Sequence, residues 1–151
     1  MNVEESFVVD QPRAALWAFV QDVERVARCL PGVEDVVASG PDDLTMLVTQ
    51  KLGPFSATFD TKMHIEERVD GEAIRFTAVG QTVRGASGNL RAANVVRLED
   101  DGAATRVVIE AELALGGMLG AVGQKVVAKQ AAKVTRQFAE NLNAEVTGPG
   151  A

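Results

Sequence analysis

The hydrophobic period of this chain changes once, at Gly116-Gly117, and that change limits the folds open to it. From Val33 to about Leu115 apolar and polar residues alternate, the period of a half-buried strand. In Phe55–Glu66 the apolar set is Phe55, Ala57, Phe59, Met63 and Ile65, while Thr58, Asp60, Lys62, His64 and Glu66 take the opposite parity. Glu72–Gly80, Ala86–Leu98 and Ala103–Leu115 repeat the pattern, and Gly53-Pro54, Asp70-Gly71 and Asp101-Gly102 are turn signals between them. After the two glycines, Leu119, Val122, Val126, Val127, Ala131, Val134, Phe138 and Leu142 recur at spacings of three and four. That stripe predicts one helix to about Val146. It would be roughly 40 Å long, enough to cross the concave face of a bent sheet.

Ahead of the meander, Val3–Val9 is short and rich in Val and Phe, which predicts a strand. Asp10-Gln11-Pro12 opens a helix with Leu16, Trp17 and Val20 on its apolar face, and Asp22 caps a second short helix over Val23–Arg28. Cys29-Leu30-Pro31-Gly32 ends it. The class is α+β: one strand, two short helices, a curved antiparallel meander and a long C-terminal helix. Residues 1–147 read as one domain, and the breaker-rich 148–151 as the start of a linker or tail.

Composition removes most chemistry. One Cys and one His cannot make an internal disulfide or a structural zinc site. A formal charge of −6 disfavours nucleic acid. No basic leader and no run of about 18 apolar residues is present, so the expected location is cytoplasmic. His64 shares the wet parity of Asp60 and Lys62, Cys29 lies in a turn, and Glu110 and Glu112 face outward. With no pair of inward carboxylates, acid–base catalysis has no visible cast, and no enzyme activity is expected. Lys125, Lys129, Lys133 and Arg136 form a basic stripe that reads as a solvated helix face.

A bent sheet gripping one helix often leaves an apolar cavity. Its expected lining is Phe55, Phe59, Met63, Phe76, Leu90 and Leu113 from the sheet, with Met118, Leu119, Val122 and Val126 from the helix. All ten also suit an ordinary filled core. Small residues share the inward parity at Ala57, Ala78, Gly80, Ala86, Gly88 and Ala92, which means either close backbone approach or empty volume. Gln50, Thr61 and Asn94 are polar at inward positions. A ligand carbonyl, such as either oxygen of a quinone head, suits the amide donors; mutual pairing, a buried water or a bulge would satisfy them equally well.

The element order resembles that of helix-grip (START-like) domains: lipid carriers, plant allergens and polyketide aromatase/cyclases. Leu16-Trp17, Cys29-Leu30-Pro31-Gly32-Val33, Lys51-Leu52-Gly53-Pro54-Phe55, Gly117-Met118-Leu119-Gly120-Ala121-Val122-Gly123 and Phe138-Ala139-Glu140-Asn141-Leu142 occur in that order. Together they resemble the CoxG-type family, the G subunits of carbon monoxide dehydrogenase, within the SRPBCC superfamily, over nearly all of residues 3–146. The resemblance implies an accessory protein of molybdenum hydroxylases, chiefly carbon monoxide dehydrogenase, that links the enzyme to the membrane and its quinone pool. Taken with the apolar inward parity and its few polar groups, it leads to the expectation of a noncovalently bound isoprenoid quinone, menaquinone or ubiquinone, carried rather than transformed. Many family members reach the membrane through a C-terminal extension, which gives a full-length form that is peripherally membrane-associated; this chain stops at Ala151. The alternative is a protein-interaction module with a filled core that recruits the dehydrogenase. An aromatase/cyclase-type enzyme ranks last.

Overall fold

Alternating side chains commit the middle of the chain to strands, and antiparallel pairing joins seven of them in the order β1-β7-β6-β5-β4-β3-β2. A computed structural model describes residues 1–148. The strands are β1 (Asn2–Val9), β2 (Val33–Ala38), β3 (Asp43–Leu52), β4 (Phe55–Val69), β5 (Ala73–Gly85), β6 (Gly88–Asp101) and β7 (Ala104–Gly117). Helices α1 (Arg13–Val20) and α2 (Val23–Ala27) follow β1, and α3 (Gln124–Thr147) closes the chain. The architecture is the expected α+β helix grip. Asp22 caps α2 by accepting the Arg25 amide, as its residue type predicts. Register shifts between Thr58 and Phe59 and between Ile65 and Glu67 of β4 mark bulges in the sheet. Apart from Gly148, the expected tail over 148–151 lies outside the described residues.

The long helix is shorter than its apolar stripe predicts. Strand β7 runs on to Gly117, whose φ of +67° turns the chain as only glycine does comfortably. A 3-10 turn over Met118–Ala121 follows, Val122 is extended, and α3 begins at Gln124. Its 24 residues span roughly 36 Å. The spacing of Leu119, Val122 and Val126 mimics a helix because a 3-10 turn also repeats every three residues.

Three clusters of buried side chains result. At one end of the strands Val9, Leu16, Cys29, Leu98, Val107, Leu142 and Val146 join α1 and α3 to the sheet. At the opposite end Leu119, fully buried, fills the space among Leu52, Ala57 and Phe59. Ala27, Val36, Leu44, Met46 and Val48 seal α2 against the β2–β3 edge. The middle of the concave face is left between them.

Candidate functional site

Cross-strand neighbours lay the inner face out in rows. One row is Met46, Thr61, Gly80, Leu90 and Leu115; the next is Leu44, Met63, Ala78, Ala92 and Leu113. Then come Ile65, Phe76, Asn94, Ala111 and Val3, and after them Ile74, Val96, Ile109 and Glu5. Ala78, Ala92 and Ala111 therefore lie on adjacent or nearby strands at the centre. From α3, Ala131, Val134 and Thr135 line the same space, with Phe138 and Leu142 farther along the helix. Ala78, Ala92 and Ala111 on the sheet and Ala131 on the helix are too small to fill the gap between the layers. The outcome is a cavity of about 420 Å³, with Trp17, Val20, Val23 and Val26 of the short helices completing its wall. That volume lies within the range of small-molecule sites.

Nine of the expected residues line this cavity: Gln50, Phe59, Thr61, Met63, Phe76, Ala78, Leu90, Asn94 and Leu113. Five do not, and the break before α3 is the cause for most. Leu119 turns into the end cluster, with Phe55 and Val122 packed against it. Met118 is 53% exposed. Val126 sits over the β3–β4 hairpin, where its Cγ1 would be 3.2 Å from a Cβ placed on Gly53.

The inward glycines and alanines divide the same way. A Cβ on Gly88 would lie 2.5 Å from the Gly116 carbonyl oxygen and 2.9 Å from Leu119 Cγ, so Gly88 serves close approach. Ala57 is 1% exposed within the Leu119 cluster. Ala78 and Ala92 instead border the cavity.

Of the polar inward residues, Gln50 is engaged twice. Its Nε2 donates to the Pro31 carbonyl at 2.9 Å and its Oε1 accepts from Gln130 Nε2 at 2.8 Å. Mutual pairing thus satisfies this amide and ties β3 to both the Pro31 turn and α3. Asn141 Nδ2 donates to the Cys29 carbonyl at 2.8 Å, so α3 grips that turn from a second point. Asn94 turns its Nδ2 toward the Phe76 carbonyl at 3.4 Å. Thr61 is 3% exposed and makes no side-chain hydrogen bond among the described residues, so its hydroxyl faces the cavity.

Glu5, Trp17, Ala111 and Thr135 also line the cavity and were not among the expected residues. Glu5 was legible: Val3, Glu5, Phe7 and Val9 share one parity, and β1 is half-buried on that side. Trp17 lies on the apolar face of α1, but sequence alone does not bring α1 over the sheet.

Asp42 also borders the cavity, paired with Arg68, and the titratable groups best suited to chemistry stand apart from it. His64 lies on the outer face with its Nδ1 2.8 Å from Asp43 Oδ1. Burial pushes the Cys29 thiol above its ordinary value, which Glu145 reinforces, so it is a poor nucleophile. Arg84 and Thr49 hold the Glu34 carboxyl below its ordinary value by hydrogen bonds, and Arg97 does the same for Glu110. A second depression, about 490 Å³, lies over the outer face among Glu4, Glu66, Arg75, Glu110 and Glu112. It is the larger of the two but polar and open to solvent, so the apolar inner cavity is the better ligand site. Among the described residues, no cluster of three His, Cys, Asp or Glu side chains could hold a metal.

Solved structures share the fold. A conserved protein from Geobacillus kaustophilus superposes with a TM-score of 0.85 at 16% identity, covering 97% of this chain and 95% of that one. A START superfamily protein from Mycobacterium smegmatis gives 0.69 at 14% identity, covering 96% of each. The Zhui aromatase/cyclase from Streptomyces sp. R1128 gives 0.59 at 13%, covering 97% and 90%. At these identities the likeness shows the fold alone. No curated protein matches significantly. The sequence of residues 6–147 matches the family model for CoxG, the G subunit of carbon monoxide dehydrogenase.

Proposed function

The chain belongs to the CoxG family, the G subunits of carbon monoxide dehydrogenase, and from that premise we propose that it is a noncatalytic carrier of a lipophilic ligand. The ligand is an isoprenoid quinone, menaquinone or ubiquinone, carried between the membrane pool and a molybdenum carbon monoxide dehydrogenase. The observation that carries this reading is the cavity, apolar on nearly every wall and floored by Ala78, Ala92 and Ala111. A flat ring with a greasy tail fills such a space, and desolvating it drives binding.

The polar groups around the cavity suit binding better than turnover. Thr61, Thr135, Asn94 and Glu5 offer hydrogen bonds, but His64 and Cys29, the side chains best suited to nucleophilic or acid–base chemistry, lie elsewhere. Membrane contact in this reading is peripheral and rests on the family; among the described residues no helix is long and apolar enough to cross a bilayer.

Trp17 is the only tryptophan and lines the cavity, so it reports on the site. Titration with 2-methyl-1,4-naphthoquinone should quench its fluorescence saturably. Solvent extraction of freshly purified protein should yield quinone. An unquenched Trp17 together with an empty extract would sink the proposal.

One observation favours a second reading, recruitment of the dehydrogenase through the outer surface. Lys125, Lys129, Lys133 and Arg136 are exposed on α3 and make no ion pair among the described residues, ready for an acidic partner. A cavity-filling Ala92→Leu variant that keeps both dehydrogenase binding and quinone reduction would favour recruitment over carriage.

A further inference from the structure

With the internal hydrogen bonds in place, the strongest unshared acceptors of the cavity lie on Glu5 and Asn94. Gln50 spends a donor on Pro31 and its carbonyl oxygen on Gln130. Asn94 directs Nδ2 at the Phe76 carbonyl, which leaves Oδ1 without a partner. Glu5 occupies an inward position on β1, half-buried, and its carboxylate makes no hydrogen bond or ion pair among the described residues. Asp42, also on the lining, is held by Arg68 and is not free in this sense. Thr61 and Thr135 each add a hydroxyl without a partner.

The place of Glu5 is set by its neighbours. Phe7, the next inward residue of β1, meets Phe138 of α3 edge to face with ring centroids 6.0 Å apart. Thr135 stands one helical turn before Phe138, as Glu5 stands one inward position before Phe7. Both therefore flank the seam where β1 and α3 close the cavity. Asn94 lies on β6, two strands from β1 in the sheet order, roughly 10 Å across the sheet.

A carboxylate accepts hydrogen bonds and cannot donate them. A hydroquinone hydroxyl donates to it strongly, whereas a quinone carbonyl brings one acceptor against another. On the reading that the cavity holds a quinone, we propose that Glu5 discriminates redox state, binding the hydroquinone in preference to the quinone. Asn94 Oδ1 is a second acceptor for the opposite hydroxyl. The chain then acts as a sink for reduced ligand, so that a reaction which reduces quinone beside it is drawn toward product.

The test is anaerobic calorimetric titration of the intact chain with 2-methyl-1,4-naphthoquinone and, separately, its hydroquinone. The wild type should bind the hydroquinone about tenfold more tightly, the scale of one charge-assisted hydrogen bond. Glu5→Gln should bring the two affinities within about threefold, by weakening the hydroquinone and relieving the acceptor–acceptor clash with the quinone. Glu5→Met, apolar like its row, is the second variant and should do the same; Thr135→Val should narrow the ratio less. The wild-type ratio needs no variant to fold. Equal wild-type affinities, or a ratio unchanged in both Glu5 variants, overturn the role of Glu5 and leave the carrier reading standing. Binding of neither form overturns both.

Discussion

Ala57 and Ala92 are both inward-facing alanines of the same sheet, yet they border opposite kinds of space. Ala57 is 1% exposed and enclosed by Leu52, Phe59 and Leu119. Ala92 is 9% exposed, lies between Ala78 and Leu113 across the ladder, and faces the cavity. Strand parity is the same at both positions; what covers them differs. The 3-10 turn drops Leu119 onto one end of the concave face, while in the middle the α3 residues Ala131, Val134, Thr135, Phe138 and Leu142 border a cavity without filling it. Whether an inward alanine belongs to a filled core or to a binding site is thus decided by the opposite layer.

That contrast breaks if large-to-small changes weigh equally in both regions. Leu119→Ala should cost about 3 kcal/mol in urea unfolding, because a fully buried plug leaves a void. Leu113→Ala, already beside empty volume, should cost under about 2 kcal/mol. The reverse experiment sharpens the comparison. Ala57→Leu should destabilise by about 1–3 kcal/mol through overpacking, whereas Ala92→Leu should change stability by less than about 1 kcal/mol. Ala92→Leu should instead weaken quinone binding, by about tenfold if one side chain of ligand contact is lost.

Smaller effects follow from the glycines. Gly88→Ala drives a Cβ against the Gly116 carbonyl at 2.5 Å and should lower Tm by about 2–4 °C. Gly80→Ala meets Thr61 Oγ1 at 3.0 Å, a contact that a shift of a few tenths of an ångström toward the cavity relieves, and should cost under about 2 °C. The smallest effect belongs to the outer face. Glu34 is depressed by Arg84 and Thr49, so its contribution is present above the ordinary carboxylate value and fades as pH falls through the depressed one. Glu34→Gln should therefore lower Tm slightly at neutral pH and not at all in strong acid, since the group is exposed and screened.

Much of this was legible in the residues. Period-two alternation, turn dipeptides and the Asp22 cap are local signals, so strands, hairpins and short helices could be read directly. Inward parity likewise located Phe59, Thr61, Met63, Phe76, Ala78, Leu90, Asn94 and Leu113 on the cavity wall. What parity cannot supply is depth. Phe55, Leu119, Val122 and Val126 have apolar inward patterns but lie where the chain turns at Gly117, and a positive φ leaves no mark on hydrophobic spacing. Gln50 shows the same limit: its partners Pro31 and Gln130 are distant in sequence, so pairing could not be told from ligand binding. A lone charge on a strand reads as solvent-facing, and only the parity of Val3, Phe7 and Val9 places Glu5 on the inner side.

The most direct measurement is native mass spectrometry of freshly purified wild type beside Ala92→Leu. An unfilled middle predicts a wild-type species heavier by one lipophilic molecule of quinone class, and an Ala92→Leu chain that folds normally but carries clearly less of it. Bare chains in both preparations, with no added mass after excess 2-methyl-1,4-naphthoquinone, would contradict a ligand-holding middle and leave only a filled core.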